Sequence, residues 1–345
     1  MSHASALPAT GFVEAALDAG FVSAGVAPAG RAARATFFEQ WLEQGRHGTM
    51  GWLAAHKAVR VDSTVLLPGG RSVLCVADRY PAEPEPAHIP GRGRIARYAR
   101  GHDYHKHMKR RLHALCDAFS DRHPGETFRA FVDTAPLLER EVAAAAGLGA
   151  IGKNTMLIQQ GVGSWLLLGE IVTTAHITPT PVAAEDPCGT CTRCIDACPT
   201  DALTPFAMDA SRCVSYLTIE HRETIDASLH GGLGDWVFGC DICQEVCPHN
   251  QPTDRTRDAA VDGAYGTREG NISLLEVLRW SDDDRIAAVG GTSATRAKVD
   301  MWRRNAAIVA RNGLDATPDA DLAHALDAIA ADPAEPDMVR QAASR

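Results

Sequence analysis

CGTCTRCIDACPT (188–200) decides how this chain is organised. Cys188, Cys191, Cys194 and Cys198, followed by Pro199, spell C-x2-C-x2-C-x3-C-P. In this run three close thiolates wrap one iron–sulfur cube and the fourth reaches a second cube. GCDICQEVCP (239–248) is the partner run with one ligand missing. Symmetry asks for cysteines at 237, 240, 243 and 247, but Val237 holds the first place and Cys213 is the spare thiol upstream. Counting then assigns Cys188, Cys191, Cys194 and Cys247 to cluster one. Cys198, Cys213, Cys240 and Cys243 go to cluster two. A pair of four-cysteine zinc sites would also use C-x2-C, but three close cysteines ending in C-P favour two [4Fe–4S] clusters. The remaining two of the ten cysteines, Cys75 and Cys116, stand in apolar or helical stretches and read as small buried hydrophobes.

Two clusters in line conduct electrons, so the N-terminal half is expected to hold the redox centre on which they end. That half mixes patterns. Residues 31–55 look helical, SVLCVAD (72–78) looks like a buried strand, and 80–94 is a loop rich in Pro and Gly. A helix is expected from Asp103 to about Asp121 with the stripe Tyr104, Met108, Leu112 and Leu115. FRAFVD then reads as a strand leading to a helix over 136–146, and TMLIQ and SWLLLGEIVTT as further strands. This is an α/β (α+β) pattern whose strand order cannot be read. TPTPVAAEDP (178–187) marks a linker. After the cysteines the chain turns helical, with Val299, Trp302, Ala306 and Val309 on one face, a stop at Asn312-Gly313, and a further helix carrying Leu322, Leu326 and Ile329. The expected division is 1–178, 179–255 (a bacterial ferredoxin-like domain with two clusters) and 256–345, a HEAT-like helical module.

In 345 residues, 45% are hydrophobic and 22% charged, enough apolar content for a sizeable core. No apolar run approaches the roughly 18 residues that span a bilayer, and the N-terminus carries no export signal, so a cytoplasmic protein is expected. The net charge of −9 is uneven. Gly91 to His113 holds eight lysines or arginines against one acid, net +7, leaving −16 on the remainder. Lys298, Arg303 and Arg304 lie in a second basic run. Such runs attract phosphates, although solvated helix faces also carry them. Gly147–Gly152 matches G-x-G-x-x-G but follows the helical LLEREVAAAA, so it reads as a helix end rather than a dinucleotide fingerprint. A D-x-H-x-x-G corrinoid motif is absent.

Six blocks in the same order, GRGRIARYARGHDYHKHMKRRL, VDTAPLLEREVAAAAGLGAIGKNTMLI, GSWLLLGEI, CGTCTRCIDACPT, SYLTIEHR and GCDICQEVCPHNQP, resemble the epoxyqueuosine reductase family over about residues 35–311. The resemblance implies a cobalamin-dependent enzyme with two [4Fe–4S] clusters that reduces epoxyqueuosine to queuosine at the wobble position of tRNA. It implies a cobalamin-binding domain, a ferredoxin-like domain and a HEAT-like module. Cobalamin is then reduced to cob(I)alamin through the clusters by an external donor such as ferredoxin or flavodoxin. The partner is the anticodon stem-loop of tRNA, and the protein is a monomer with no membrane partner. Ala150 departs from the family, which usually has a bulky aromatic there.

Asp133 reads from its position either as an acid at a strand end, with a carboxyl raised by burial, or as the N-cap of the following helix. The resemblance implies the acid. Tyr104 is placed to reach substrate or to fill the core. Arg140 is placed to pair with Asp133 or substrate, or to decorate a helix surface. Corrin contacts are expected from Lys153 and Asn154 in a turn, from Ser164, and from Ser215 and Tyr216 after Cys213; Arg97 and Asp241 complete that set. The alternatives are a corrinoid reductive dehalogenase, which lacks a need for basic tRNA-binding surfaces and is usually exported, and a ferredoxin-type electron carrier, which would bind no cobalamin.

Overall fold

The computed structural model describes residues 5–82, 88–182, 186–251, 261–266 and 268–344. The expected loop at 80–94 and the linker at 178–187 therefore lie partly outside the described residues. In chain order the principal elements are α1 (Thr10–Asp18), β1 (Ser23–Pro28), α2 (Ala35–Glu43), β2 (Ser72–Arg79), β3 (Arg92–Ile95), α3 (Tyr104–Arg122), β4 (Phe128–Phe131), α4 (Glu139–Ala145) and β5 (Leu166–Thr173). The later part adds β6 (Trp236–Phe238), β7 (Asn271–Ser273), α5 (Leu274–Leu278), α6 (Val299–Leu314), α7 (Ala320–Ala331) and α8 (Asp337–Ala343).

The first sheet has the order β1-β2-β5-β4 and every neighbouring pair is antiparallel. Strand alternation sends successive β5 side chains to opposite faces. Gly169 faces α3, where an added Cβ would strike Leu112 at 2.9 Å and Met108 at 3.2 Å. That missing side chain lets α3 lie close, and its stripe Tyr104, Met108, Leu112 and Leu115 is buried there with Phe119. Leu166, Leu168 and Val172 face the other way, into a core with Leu137, Val142 and Ala143 at the start of and along α4. Glu170 shares this second face and is 0% exposed.

Two helices differ from expectation. Residues 31–55 form two helices, Ala35–Glu43 and Gly51–Ala55, because Gly45 and Gly48 take positive φ values between them. The helix after β4 starts at Glu139 with Leu138 as its N-cap, not at Pro136. The glycine-rich 147–152 segment is a helix end as expected. Gly147 has φ +80°, and a Cβ on it would meet the Pro181 carbonyl at 2.5 Å. A short ribbon, Ala150–Ile151 with Leu157–Ile158, follows and frames the turn between them.

The second sheet joins distant parts of the chain. β3 is central, parallel to β6 and antiparallel to β7. Its Ile95 shares one core with Trp236, Val237 and Phe238 and with Trp302, Ala306 and Val309 of α6. Arg304 is fully buried and donates to the carbonyls of Leu217, His221 and Glu223, while Asn305 donates to those of Thr218 and Val237. These bonds satisfy backbone groups that would otherwise be buried unpaired. α6 runs through the expected Asn312-Gly313 stop by one residue. No helix among the described residues is long and apolar enough to cross a membrane.

Candidate active site

The eight clustered cysteines are all free of disulfides. Cys194 and Cys247 feel the charge of Cys188, and Cys247 that of Cys191; Cys240 and Cys243 feel that of Cys213, and Cys243 also that of Cys194 and Cys198. Among the described residues no three such donors close on a single ion-sized point. Burial pushes the thiols of Cys213, Cys240 and Cys243 up, so thiolates there require metal charge to offset their desolvation. The donor sets fit two [4Fe–4S] clusters. The backbone N–H of Lys153 donates to Cys188 Sγ and that of Ala202 to Cys198 Sγ, each at 3.3 Å; such bonds to sulfur tune a cluster's potential.

A cavity of 260 Å³ opens directly over cluster two. Cys198, Cys213, Cys240 and Cys243 form one wall, and Tyr98, Asn154, Leu166 and Leu167 face them. A second cavity of 320 Å³ is lined by Asp133, Glu139, Arg60, Trp41 and Trp52. Arg140, Thr155 and Met208 line both, so the two adjoin. The site thus has cluster thiols at one end and a carboxyl group at the other.

Asp133 stands after β4 with φ +44°, a conformation that a non-glycine residue holds only when its surroundings impose it. Three groups impose it. The Glu139 carboxylate accepts a short hydrogen bond from the Asp133 backbone N–H. His105 Nε2 lies 2.8 Å from Asp133 Oδ2, and Nδ1 lies 2.7 Å from Asp103 Oδ1. Tyr104 brings its hydroxyl to Asp133 and stacks on His105 at 4.0 Å. With a carboxylate at each ring nitrogen, His105 donates from both and is an imidazolium. Burial opposes the charge on His105, yet the two carboxylates raise its pKa. Burial likewise disfavours an ionised Asp133, but His105 and Tyr104 more than offset it and hold the carboxyl below its usual range. The expected upward shift of Asp133 is therefore corrected: its side chain is half exposed, opening onto the cavity, and a cationic partner lies against it. Asp133 is also not a helix cap, since α4 starts six residues later.

The acid of the region that burial does raise is Glu139, pushed up to about 8 by desolvation and by the charge of Asp133. Behind it lies Glu170, whose two carboxyl oxygens have no well-formed hydrogen bond. Burial and the neighbouring Glu139 push Glu170 well above the carboxylate range.

Two family models match: "Epoxyqueuosine reductase QueG, DUF1730" over residues 60–134 and "4Fe-4S double cluster binding domain" over 187–250. An epoxyqueuosine reductase of Synechococcus sp. (strain RCC307) is 42% identical over 300 residues, covering 85% of this chain and 90% of that protein. One of Pseudomonas aeruginosa is 36% identical over 308 residues, with coverages of 87% and 84%. The chain belongs to the epoxyqueuosine reductase family. Among solved structures, a selenomethionine-labelled epoxyqueuosine reductase matches with a TM-score of 0.82 at 27% identity, covering 96% of this chain and 87% of that one. Another, bound to a stem loop of tRNA-Tyr modified with epoxyqueuosine, matches with a TM-score of 0.81 at 26% identity and coverages of 96% and 86%.

Of the family residues expected on the corrin, Asn154, Ser215 and Asp241 line the cluster-two cavity. The others do not line it. Lys153 turns to cluster one, where Nζ donates to the carbonyls of Gly189 and Cys191. Ser164 donates to Gln244 Oε1 at 2.9 Å. Tyr216 accepts from the Thr49 N–H at 2.7 Å and packs against Gly48, away from the cavity. Arg97 is buried and donates to Asp241 Oδ2, from its backbone N–H and its guanidinium, and to Glu245. Arg140 does not bond Asp133; it donates to the Thr155 carbonyl at 2.6 Å and pins the 152–156 turn. Tyr104 fills both of its expected roles, buried in the core with its hydroxyl at Asp133. Sequence reasoning missed His105, Glu139 and Glu170. The last left a signal, a lone acid within LLLGEIV.

The basic runs are mostly internal. Arg92, Arg94 and Arg97 pair with acids, and Arg100 donates to the Ile95 carbonyl. Arg111 binds Asp78, Asp262 and the Ala19 carbonyl and lies 3.8 Å over the Phe21 ring. Lys106, Lys109 and Arg110 remain exposed on α3. In the second run Arg303 pairs with Glu335 and Arg304 is core, so Lys298 is its exposed member.

Proposed function

We propose that this chain reduces the epoxide of epoxyqueuosine, at the wobble position of tRNA, to the alkene of queuosine. The observation that carries this is the pair of adjoining cavities, one walled by the cluster-two thiols and the other lined by Asp133. Its cluster-side part is walled by Leu166, Leu167, Val214 and Ile242, an apolar surface against which a flat macrocycle would pack. Cobalamin bound there supplies a strongly reducing cobalt centre for a two-electron reduction. Asn154, Ser215 and Asp241 are the residues that would hold its periphery. Cluster one, held by Cys188, Cys191, Cys194 and Cys247, would take electrons from a ferredoxin- or flavodoxin-like protein, and cluster two beside the cavity would pass them on.

Asp133 hands a proton to the departing oxygen, and His105 keeps it oriented and restocks it from its imidazolium. The cavity beside Trp52, Arg222 and Arg296 (410 Å³) and the exposed Lys106, Lys109 and Arg110 are the surfaces offered to the anticodon stem-loop. Helices α5–α8 form the HEAT-like module, residues 1–178, 179–255 and 256–345 are the three functional segments, and the enzyme works as a cytoplasmic monomer.

The test is incubation of the cobalamin-loaded protein with a low-potential donor and tRNA carrying epoxyqueuosine. Loss of one oxygen atom from the nucleoside is expected by mass spectrometry. An unchanged nucleoside, with cobalt and both clusters fully reduced, overturns the reading.

A further inference from the structure

The substrate nucleotide is built in a line: a cyclopentane ring carrying the epoxide, an aminomethyl bridge, a 7-deazaguanine, then ribose and phosphate. Three cavities lie in a matching order. The cluster-two cavity adjoins the Asp133 cavity through Arg140, Thr155 and Met208. The Asp133 cavity adjoins the 410 Å³ cavity through Met50 and Trp52, which line both. With the epoxide between the cluster side and Asp133, the purine, one bridge further out, reaches Met50 and Trp52, and the phosphate lies beyond them.

Trp52 has the properties of a base platform. Among the described residues it is the one exposed tryptophan, at 42%. The Arg60 guanidinium lies 4.9 Å from its ring centroid. Arg60 is itself buried and its Nε has no hydrogen-bond partner, so the indole face stands in for an acceptor. The cation takes one face of the ring and leaves the other to a ligand. The platform is also fixed from the cluster lobe. Tyr216 accepts from the Thr49 N–H at 2.7 Å, and Gly48, at φ +57°, admits the Tyr216 ring so closely that a Cβ would meet its hydroxyl at 2.5 Å. The Trp41 indole N–H donates to the Met208 carbonyl at 2.6 Å, and the Arg46 carbonyl accepts from the Ala210 N–H at 2.8 Å. A ring placed in advance loses little freedom when a base lands on it. In the third cavity Arg296 is spent on Glu220, through two bonds of 2.8 Å. Arg222 is exposed there, next to Glu223, and is the cation offered to a phosphate.

We propose that Trp52 is the seat of the modified base: the purine stacks on the open face of the indole, and this sets how far the epoxide reaches past Asp133 toward the clusters. Every base presents a π face, so the seat takes the ring whatever substituent it carries. Selection of the epoxide is left to the inner cavities. This rests on the reading under Proposed function.

The experiment measures how the full, cofactor-loaded protein binds three anticodon stem-loops, carrying epoxyqueuosine, unmodified guanine or no base at the wobble position. Trp52→Leu keeps an apolar side chain and loses the aromatic face. It is expected to weaken binding of the first two stem-loops by roughly 5- to 150-fold, the worth of one stacked base, and to leave the abasic one unchanged. The salt slope should not move, because stacking neutralises no phosphate. Trp52→Phe should recover most of the affinity, and both variants should melt as the wild type does. Indole fluorescence gives a second reading: the guanine stem-loop should quench the wild type, whereas the abasic stem-loop should not, and the quench should vanish in Trp52→Phe. Wild-type affinity of Trp52→Leu for the guanine stem-loop overturns the seat. So does an equal loss on all three stem-loops with a lowered melting temperature, which marks a structural role. Quenching by the abasic stem-loop overturns it as well, since a neighbouring base would then lie on the ring. These measurements need no turnover, so if they hold while the wild-type protein leaves epoxyqueuosine unreduced, it is the underlying function that fails.

Discussion

The cluster lobe and the carboxyl pocket border adjoining cavities, and both crowd groups of like charge. They relieve the crowding differently. In the lobe, eight thiols come from short loops, and backbone N–H groups point at sulfur; metal charge is what lets thiolates persist there. In the pocket, Asp133, Glu139 and Glu170 come from the end of β4, the first turn of α4 and the middle of β5. Their relief is protonic: an imidazolium at one end and shared protons at the other. A metal-relieved site tolerates exposure and is specified by local spacing. A proton-relieved site needs burial and therefore needs the whole sheet behind it.

Removing a cluster ligand should have the largest effect. Cys213→Ala is expected to abolish turnover and to lower iron from about eight to about four per chain, measured by metal and sulfide analysis of anaerobic protein. Retention of both clusters would break the assignment of Cys213. Next comes Asp133→Asn. It keeps the side chain's shape but not its transferable proton, so kcat should drop by about 10²–10⁴-fold while tRNA still binds in a filter assay. Near-normal turnover would remove Asp133 from the chemistry.

The pH dependence of stability sharpens the contrast. A carboxyl raised to about 8, as in Glu139, makes the folded state lose stability as pH climbs from its unfolded value of about 4.3 towards 8. Glu139→Gln should flatten that decline in thermal melts between pH 5 and 9. His105, also raised, contributes stability below about 6.5 that fades as pH passes its folded value. Asp133, lowered, contributes above about 3.9 and fails as pH falls through its folded value. Their pairing is therefore strongest in the mildly acidic range, and His105→Asn should cost most there. The smallest effect is electrostatic. Replacing Lys106, Lys109 and Arg110 with Glu should weaken tRNA binding and lower its salt slope by roughly one unit per lost phosphate contact. Arg111→Glu should instead unfold the protein, because it would set three acids around Phe21.

These two regions also explain what could be read from the chain alone. Most of the proposed cluster ligands are read from spacing, because loops of two or three residues leave thiols little choice of partner; Cys213, assigned as the spare thiol, is the exception. The α3 stripe and β5 followed from periodicity. The proton-bearing pocket did not, since His105, Glu139 and Glu170 lie 31 to 65 positions apart and only the sheet brings them together. Charge runs misled for a related reason. Arg97, Arg111 and Arg304 look like a phosphate-binding surface in one dimension, yet each is consumed by carbonyls or carboxylates in the interior.

The central position of β3 bears on how the protein is made. Its partners on both sides arrive late, and Arg92 and Asn271, bonded across the sheet, are 179 residues apart. A ribosome adding about 5–20 residues per second leaves that strand waiting with two open edges for roughly ten seconds or longer. Meanwhile Arg92 and Arg94 keep charge on the waiting strand, of the kind that discourages edge-to-edge association. The arginines that become internal in the finished enzyme would thus first guard the nascent chain.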